Sequence, residues 1–266
     1  MNTPCNSTPV MALQAVTVKT RRVTLLSGVS LSLAAGQVLA VIGANGAGKT
    51  SLLRTLTGEL AATSGTLSVC GAAPTPRPTP RRARHLAVLP QLSLLNFPYT
   101  AEEVVNLGRT PHNSGIRVDR DIVAAALAAM DIEHLRGRLY PQLSGGEKQR
   151  VQLARVMAQV WRGADAEPRL LLLDEPTTAL DLGHQHQLMA AIRRFAAQGV
   201  AVVMVVHDLN LAARYADRLL ALHQGRALAA GTVPEVLTAA VIRQLFNVDV
   251  RVVKHPDTGK PEILGL

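Results

Sequence analysis

The sequence predicts an α/β fold, with a core of parallel strands, a small antiparallel sheet ahead of it and a helical segment inserted within it. Three observations carry this reading. Short, wholly apolar runs at Val38–Ile42, 170–173 and 201–206 have the length and composition of strands buried on both faces. The first runs directly into Gly43-Ala44-Asn45-Gly46-Ala47-Gly48-Lys49-Thr50, the spacing of a phosphate-binding loop. Between Gln91 and Leu143 the strand-like runs give way to helices and loops.

A chain of 266 residues, 48% hydrophobic and 3% aromatic, can bury a full core, and one domain with an inserted subdomain is expected. The net charge of +9 is compatible with nucleic acid, an anionic membrane surface or anionic ligands, and equally with an Arg-rich composition alone. Cys5 and Cys70 lack any paired spacing for zinc or redox chemistry, so free thiols in a reducing cytosol are expected. Residues 1–11 have neither the basic start nor the apolar centre of a signal peptide and read as a disordered tail. The longest apolar stretch, 122–130, is far short of a membrane span. A soluble chain follows, linked to a membrane only through a partner.

Residues 12–35 alternate apolar and polar, as in a small antiparallel sheet, and 66–69 adds a strand after Ser64-Gly65. Pro74, Pro76, Pro78 and Pro80 deny 74–80 both helix and sheet. The cluster Arg77, Arg81, Arg82, Arg84 then reads as a solvated face, with anion or membrane contact the lesser reading. A buried strand is expected over 85–89, and helices over about 101–108, 119–130 and 132–136. Ser144 and Glu147 have the spacing of a capping box that opens a helix to about Trp161. Further helices are expected over 184–198 and 209–215, a hairpin turns at Gln224-Gly225, and Thr232-Val233-Pro234-Glu235 caps another helix.

In the phosphate-binding loop, Gly43, Gly46 and Gly48 permit the tight turns that aim backbone N–H groups inward. Lys49 supplies a cation for the β- and γ-phosphates, and the Thr50 hydroxyl can ligate Mg²⁺. Ala44, Asn45, Ala47 and Ser51 complete the nucleotide-binding stretch. The run 170–173 ends in Asp174 and Glu175, the first suited to Mg²⁺, the second to orienting and deprotonating water. Gln91, at a strand end, can reach both Mg²⁺ and water, and His207 follows the 201–206 run. Glu175, His207 and Gln91 form the expected catalytic group, and Thr50, Gln91 and Asp174 the expected metal set.

Leu143-Ser144-Gly145-Gly146-Glu147, Asp174-Glu175-Pro176-Thr177 and Ala179-Leu180-Asp181 follow the phosphate loop in one order. In this the chain resembles the ATP-binding subunits of ABC transporters over about 12–250. The resemblance implies a P-loop NTPase (RecA-like) core with an N-terminal antiparallel β subdomain and an inserted α-helical subdomain. It implies one ABC ATPase domain over 12–266, with the insertion at about 92–160. Ser144, Gly145 and Gly146 would then contact the γ-phosphate of ATP held by an opposing subunit, with Asp181 crossing the same interface. A homodimer with two ATP and Mg²⁺ follows.

The stretches 89–91, 96–105 and 107–112 are similar to importers of iron-siderophore, cobalamin and haem, and the long connection 161–168, with 207–218, is most similar to haem (hemin) importer ATPases. This implies two copies of a membrane permease, a periplasmic haem-binding protein and the cytoplasmic face of the bacterial inner membrane, with a ferric-siderophore or cobalamin importer as the alternative. A soluble ABC ATPase acting on nucleic acid is the reading from another class; such proteins carry tandem cassettes or long coiled-coil insertions, which this sequence lacks, so no nucleic acid is expected. Phe97 and Tyr99 are read either as core or as part of a groove for the permease. Two positions depart from the family pattern. Counting back from Val29-Ser30-Leu31, Val18 stands where the family usually carries an aromatic residue to stack on adenine. Glu147 replaces the usual Gln, a change expected to matter little because a helix N-terminus favours an acid. His184 and His186, two apart on a helix, do not share a face, so no metal site is expected there.

Overall fold

The computed structural model describes residues 8–77, 79–91, 97–161, 167–178 and 180–265. The first part of the expected tail, Pro78, Asn96, part of the 161–168 connection and Ala179 lie outside these.

The chain opens with β1 (Met11–Lys19) and β2 (Thr24–Leu33), followed by β3 (Val38–Ile42), α1 (Lys49–Leu56) and β4 (Ser64–Val69). β2, β1 and β4 form the expected antiparallel sheet. Its first strand already includes Met11, and Val10 and Met11 are fully buried, so the expected tail of 1–11 does not extend that far. α2 (Pro80–His85) and β5 (Leu86–Leu89) come next. Pro80 was expected to bar a helix, yet it occupies the first helical turn, where its missing N–H costs nothing, behind the Thr79 cap.

The arginines of this cluster lie at the surface as expected, Arg77, Arg81 and Arg84 exposed and Arg82 half-buried, and three of them also make contacts within the chain. Arg82 donates to the carbonyls of Thr75 (2.7 Å) and Leu56 (3.1 Å), Arg84 to that of Pro111 (2.8 Å), and Arg81 pairs with Glu167 (2.6 Å).

The helical segment comprises α3 (Ala101–Asn106), α4 (Ile116–Ala129) and α5 (Gly145–Gln159), with short 3₁₀ turns between them. The chain then alternates through β6 (Arg169–Asp174), α6 (Leu182–Ala196), β7 (Val200–Val205) and α7 (Leu209–Tyr215). It closes with β8 (Arg218–His223), β9 (Arg226–Thr232), α8 (Val233–Val236), α9 (Ala239–Phe246), β10 (Arg251–Lys254) and β11 (Pro261–Leu264).

The central sheet runs β5-β6-β7-β3-β8-β9, parallel except for β9. Alternate residues of each central strand feed two cores. Leu39, Val41, Leu170, Leu172 and Val203 pack with α1 and the antiparallel sheet. Ala40, Ile42, Leu171, Leu173 and Met204 pack with α6 and the helical segment. Both faces being covered, these strands carry no polar alternation, and that is why they read as unbroken apolar runs.

Candidate functional site

Because β3, β5, β6 and β7 are parallel, their C-terminal ends share one edge of the sheet, the edge at which open α/β sheets bind ligands. The phosphate-binding loop follows β3 there, Gln91 lies two residues past β5, Asp174 ends β6, and His207 lies two past β7.

Two loop glycines are required by packing. Gly43 has φ 153°, and a Cβ on it would lie 2.3 Å from the Leu222 carbonyl oxygen of β8. Gly48, the cap of α1, has φ 105° and would place a Cβ 3.0 Å from the Leu25 carbonyl of β2. Lys49 is buried, and its Nζ donates to the carbonyls of Gly43 (2.8 Å) and Ala44 (3.0 Å). Burial lowers its pKa, against the opposing pull of Glu175 and Asp174. The loop's own carbonyls thus solvate the ammonium and aim it along the loop's interior.

Asp174 is 8% exposed, at the end of β6. Burial, then Glu175, pushes its carboxyl up, and Lys49, His207 and Thr50 pull it down. Glu175 sits at φ 52°, a left-handed conformation unusual for a non-glycine residue and of the kind that clusters at functional sites. Its Oε2 accepts from Gln91 Nε2 (3.0 Å) and Thr178 Oγ (3.4 Å), while its Oε1 lies 2.6 Å from His207 Nε2. Gln91, Glu175 and His207 are therefore brought together. A carboxylate so fixed, with a second carboxylate and a buried lysine beside it, can orient a water and take its proton. Thr178 was not anticipated; its signal was a hydroxyl three residues past an acid at a strand end.

Ser144 and Asp181 cap helices and, among the described residues, make no hydrogen bond to this cluster. Ser144 caps α5, accepting from the Glu147 N–H at 3.3 Å, and Gly145 and Gly146 open the helix. Gln149 Nε2 donates to the Pro176 carbonyl (3.1 Å), tying α5 to the turn after Glu175. Asp181 caps α6 through the His184 N–H (2.8 Å), with a side chain 69% exposed. Among the described residues, no hydrogen bond joins Ser144 or Asp181 to the segment 43–51. His184 Nδ1 pairs with Asp181, and His186 Nδ1 with the Tyr215 hydroxyl at 3.0 Å.

Val18 corrects a sequence expectation. It is 2% exposed, packed in the core between β1, β2 and α1, and offers no surface to a base. The exposed turn of this hairpin is instead Thr20-Arg21-Arg22-Val23, closed by the Thr20 N–H on the Val23 carbonyl at 2.9 Å.

Residues 26–178 match the family described as ABC transporter, and the chain belongs to that family: it is an ATP-binding subunit and an ATPase. Within the family it is 52% identical over 240 residues to the hemin import ATP-binding protein HmuV of Pseudomonas entomophila, covering 90% of this chain and 93% of that protein. It is 52% identical over 244 residues to the protein of the same name from Gloeobacter violaceus, with 91% and 89% covered. Among solved structures, a metal-chelate type ABC transporter in an inward-facing conformation superposes with TM-score 0.80 at 25% identity, covering 98% of both chains. An ATP-binding subunit of an ABC transporter, at 24% identity and TM-score 0.74 over 90% and 93% of the two chains, shares the fold. No helix among the described residues is long and apolar enough to cross a membrane.

Proposed function

We propose that the chain is the ATP-hydrolysing motor of a bacterial haem importer. In this reading it acts as a homodimer at the cytoplasmic face of the inner membrane, beneath two copies of a permease fed by a periplasmic haem-binding protein. The relatives' identity over nine-tenths of the chain supports the cargo. The observation that carries the hydrolytic part is the Glu175 carboxylate held between Gln91 and His207.

The segment 43–51 binds the ATP phosphates through backbone N–H groups, with Lys49 turning from its own loop carbonyls to the β- and γ-phosphates. Thr50, Gln91 and Asp174 would hold Mg²⁺. They fit a hard cation: all present oxygen donors, and Thr50 lowers the pKa of the Asp174 carboxyl, as a neighbouring hydroxyl does. When bound, the ion neutralises phosphate charge. Glu175 orients the attacking water and accepts its proton, and His207 fixes the carboxylate. Ser144, Gly145, Gly146 and Asp181 serve the nucleotide of the opposing copy. Phe97, 62% exposed with its ring centroid 6.1 Å from that of Tyr99, offers an aromatic surface to a cytoplasmic permease helix.

The test is ATP turnover by the reconstituted complex with binding protein loaded with haem, a ferric siderophore or cobalamin. Stimulation by the haem-loaded protein alone is expected. Stimulation by one of the other two transfers the chain to that importer, and turnover responding only to nucleic acid overturns the importer reading.

A further inference from the structure

Glu147 is the acidic residue in the first turn of α5, next to the glycines that open the helix. The capping box folds it back, its Oε2 accepting the Ser144 N–H at 2.7 Å. The hydrogen bonds from Ser144, with Arg138 and Arg150 nearby, hold its carboxyl below the usual range, so it is ionised at neutral pH. Its Oε1 faces Arg138 Nη1 at 3.4 Å. The Arg138 backbone is pinned on both sides: its N–H donates to the Leu135 carbonyl (2.9 Å), and its carbonyl accepts from the Ala101 N–H (3.0 Å). Two residues on, the Tyr140 N–H donates to the Tyr99 carbonyl (2.7 Å), so the guanidinium is delivered from a fixed base.

We propose that Arg138 is a positioning residue for hydrolysis: by neutralising Glu147 it lets the N-terminus of α5 receive the triphosphate of a second copy. This rests on the reading that Ser144–Gly146 complete the opposing site. In the lone chain Arg138 is half-exposed, and water screens the pair so that it contributes little to stability. Closure of two copies expels that water, and an unpaired carboxylate one residue past Gly146 then repels the incoming phosphates across a medium that screens poorly. Arg150 is a second cation that acts on the Glu147 carboxyl, so loss of Arg138 weakens closure without abolishing it. The substitution of acid for amide at 147 is thus neutral for the helix and matters at the interface.

Two readouts on the full chain test this: KM and kcat for ATP, and ATP-driven dimerisation by sedimentation in a Glu175→Gln background. Arg138→Ala is expected to raise both KM and the ATP needed for half-maximal dimerisation about tenfold, equivalent to about 1.4 kcal/mol. Turnover at saturating ATP, and ATP affinity below the dimerisation concentration, should stay within about twofold of the parent. Glu147→Gln added to Arg138→Ala should restore both parameters, and Arg138→Lys should retain most of each. A merely structural role would lower Tm and would not be rescued by Glu147→Gln. Wild-type KM in Arg138→Ala, or a defect that persists in the double variant, overturns the proposal. Failure of the Glu175→Gln parent to dimerise with ATP, or dimerisation unaffected by Ser144→Arg, instead overturns the two-copy reading on which it rests.

Discussion

Replacing Glu175 by Gln separates what this side chain does for the fold from what it does for chemistry. The carboxylate accepts from Gln91 (3.0 Å) and Thr178 (3.4 Å) on one oxygen and meets His207 (2.6 Å) on the other. A glutamine of equal length can keep its oxygen on Gln91 and Thr178 and turn its NH₂ to His207, whose Nε2 accepts when the proton sits on Nδ1. Stability should therefore change by no more than about 0.5 kcal/mol. What disappears is the proton acceptor, worth about 10²–10⁴-fold, or about 3–5 kcal/mol of barrier. Single-turnover hydrolysis with protein in excess, alongside thermal melts, reads the two effects separately. The variant should bind ATP and persist as an ATP-bound dimer while hydrolysis collapses. Turnover within about threefold of wild type, in a variant of unchanged Tm, removes Glu175 from proton transfer.

Three further outcomes follow from burial and exposure. Burial raises the folded pKa of Asp174 above its ordinary value, so its ionised form costs stability, and this contribution improves as pH falls through the folded pKa toward the unfolded one. Asp174→Asn should accordingly raise Tm in nucleotide-free protein at pH 7, by about 2–4 °C per kcal/mol relieved, while hydrolysis is lost; a lower Tm refutes the sign. Phe97→Ala should leave urea stability within about 0.5 kcal/mol, because the ring is exposed, yet uncouple transport in the reconstituted complex. Clear destabilisation would show that the ring belongs to the core. Val18→Tyr should overpack the core and cost about 1–3 kcal/mol in urea unfolding rather than tighten ATP binding; a stable variant with tighter ATP binding contradicts that placement.

Part of the candidate site was legible because its groups follow strand ends, unlike Ser144 and Asp181, which cap helices. Where strands are parallel and buried on both faces, as β3, β6 and β7 are, each apolar run shows where its strand stops, and all such stops share one edge. Lys49, Asp174, Glu175 and His207 could thus be assembled without knowing any long-range contact. Val18 fails the same reasoning for a definable cause. Counting back from 29–31 treats the hairpin as regular, but the β1–β2 pairing shifts register between Val16 and Val18 and again between Val18 and Lys19. One slip exchanges the two faces of a strand, so counting cannot say which residue points outward.

The cations were the least legible residues, because sequence patterning assigns a charge to solvent unless something pairs it. Arg109 is 4% exposed, and each of its guanidinium nitrogens has a partner: Asp119 (2.8 Å), the Ala158 carbonyl (2.7 Å) and Ser114 (2.9 Å). Arg82 spends its donors on backbone carbonyls, and Arg138 on Glu147. In all three, a guanidinium with fixed, forked donors closes a gap between segments distant in sequence or across a turn, work for which no local periodicity exists. Arg138 differs from the other two in its consequence. Its partner lies beside the glycines that head α5, so the same kind of contact that elsewhere joins two segments here sets the charge presented to a second copy.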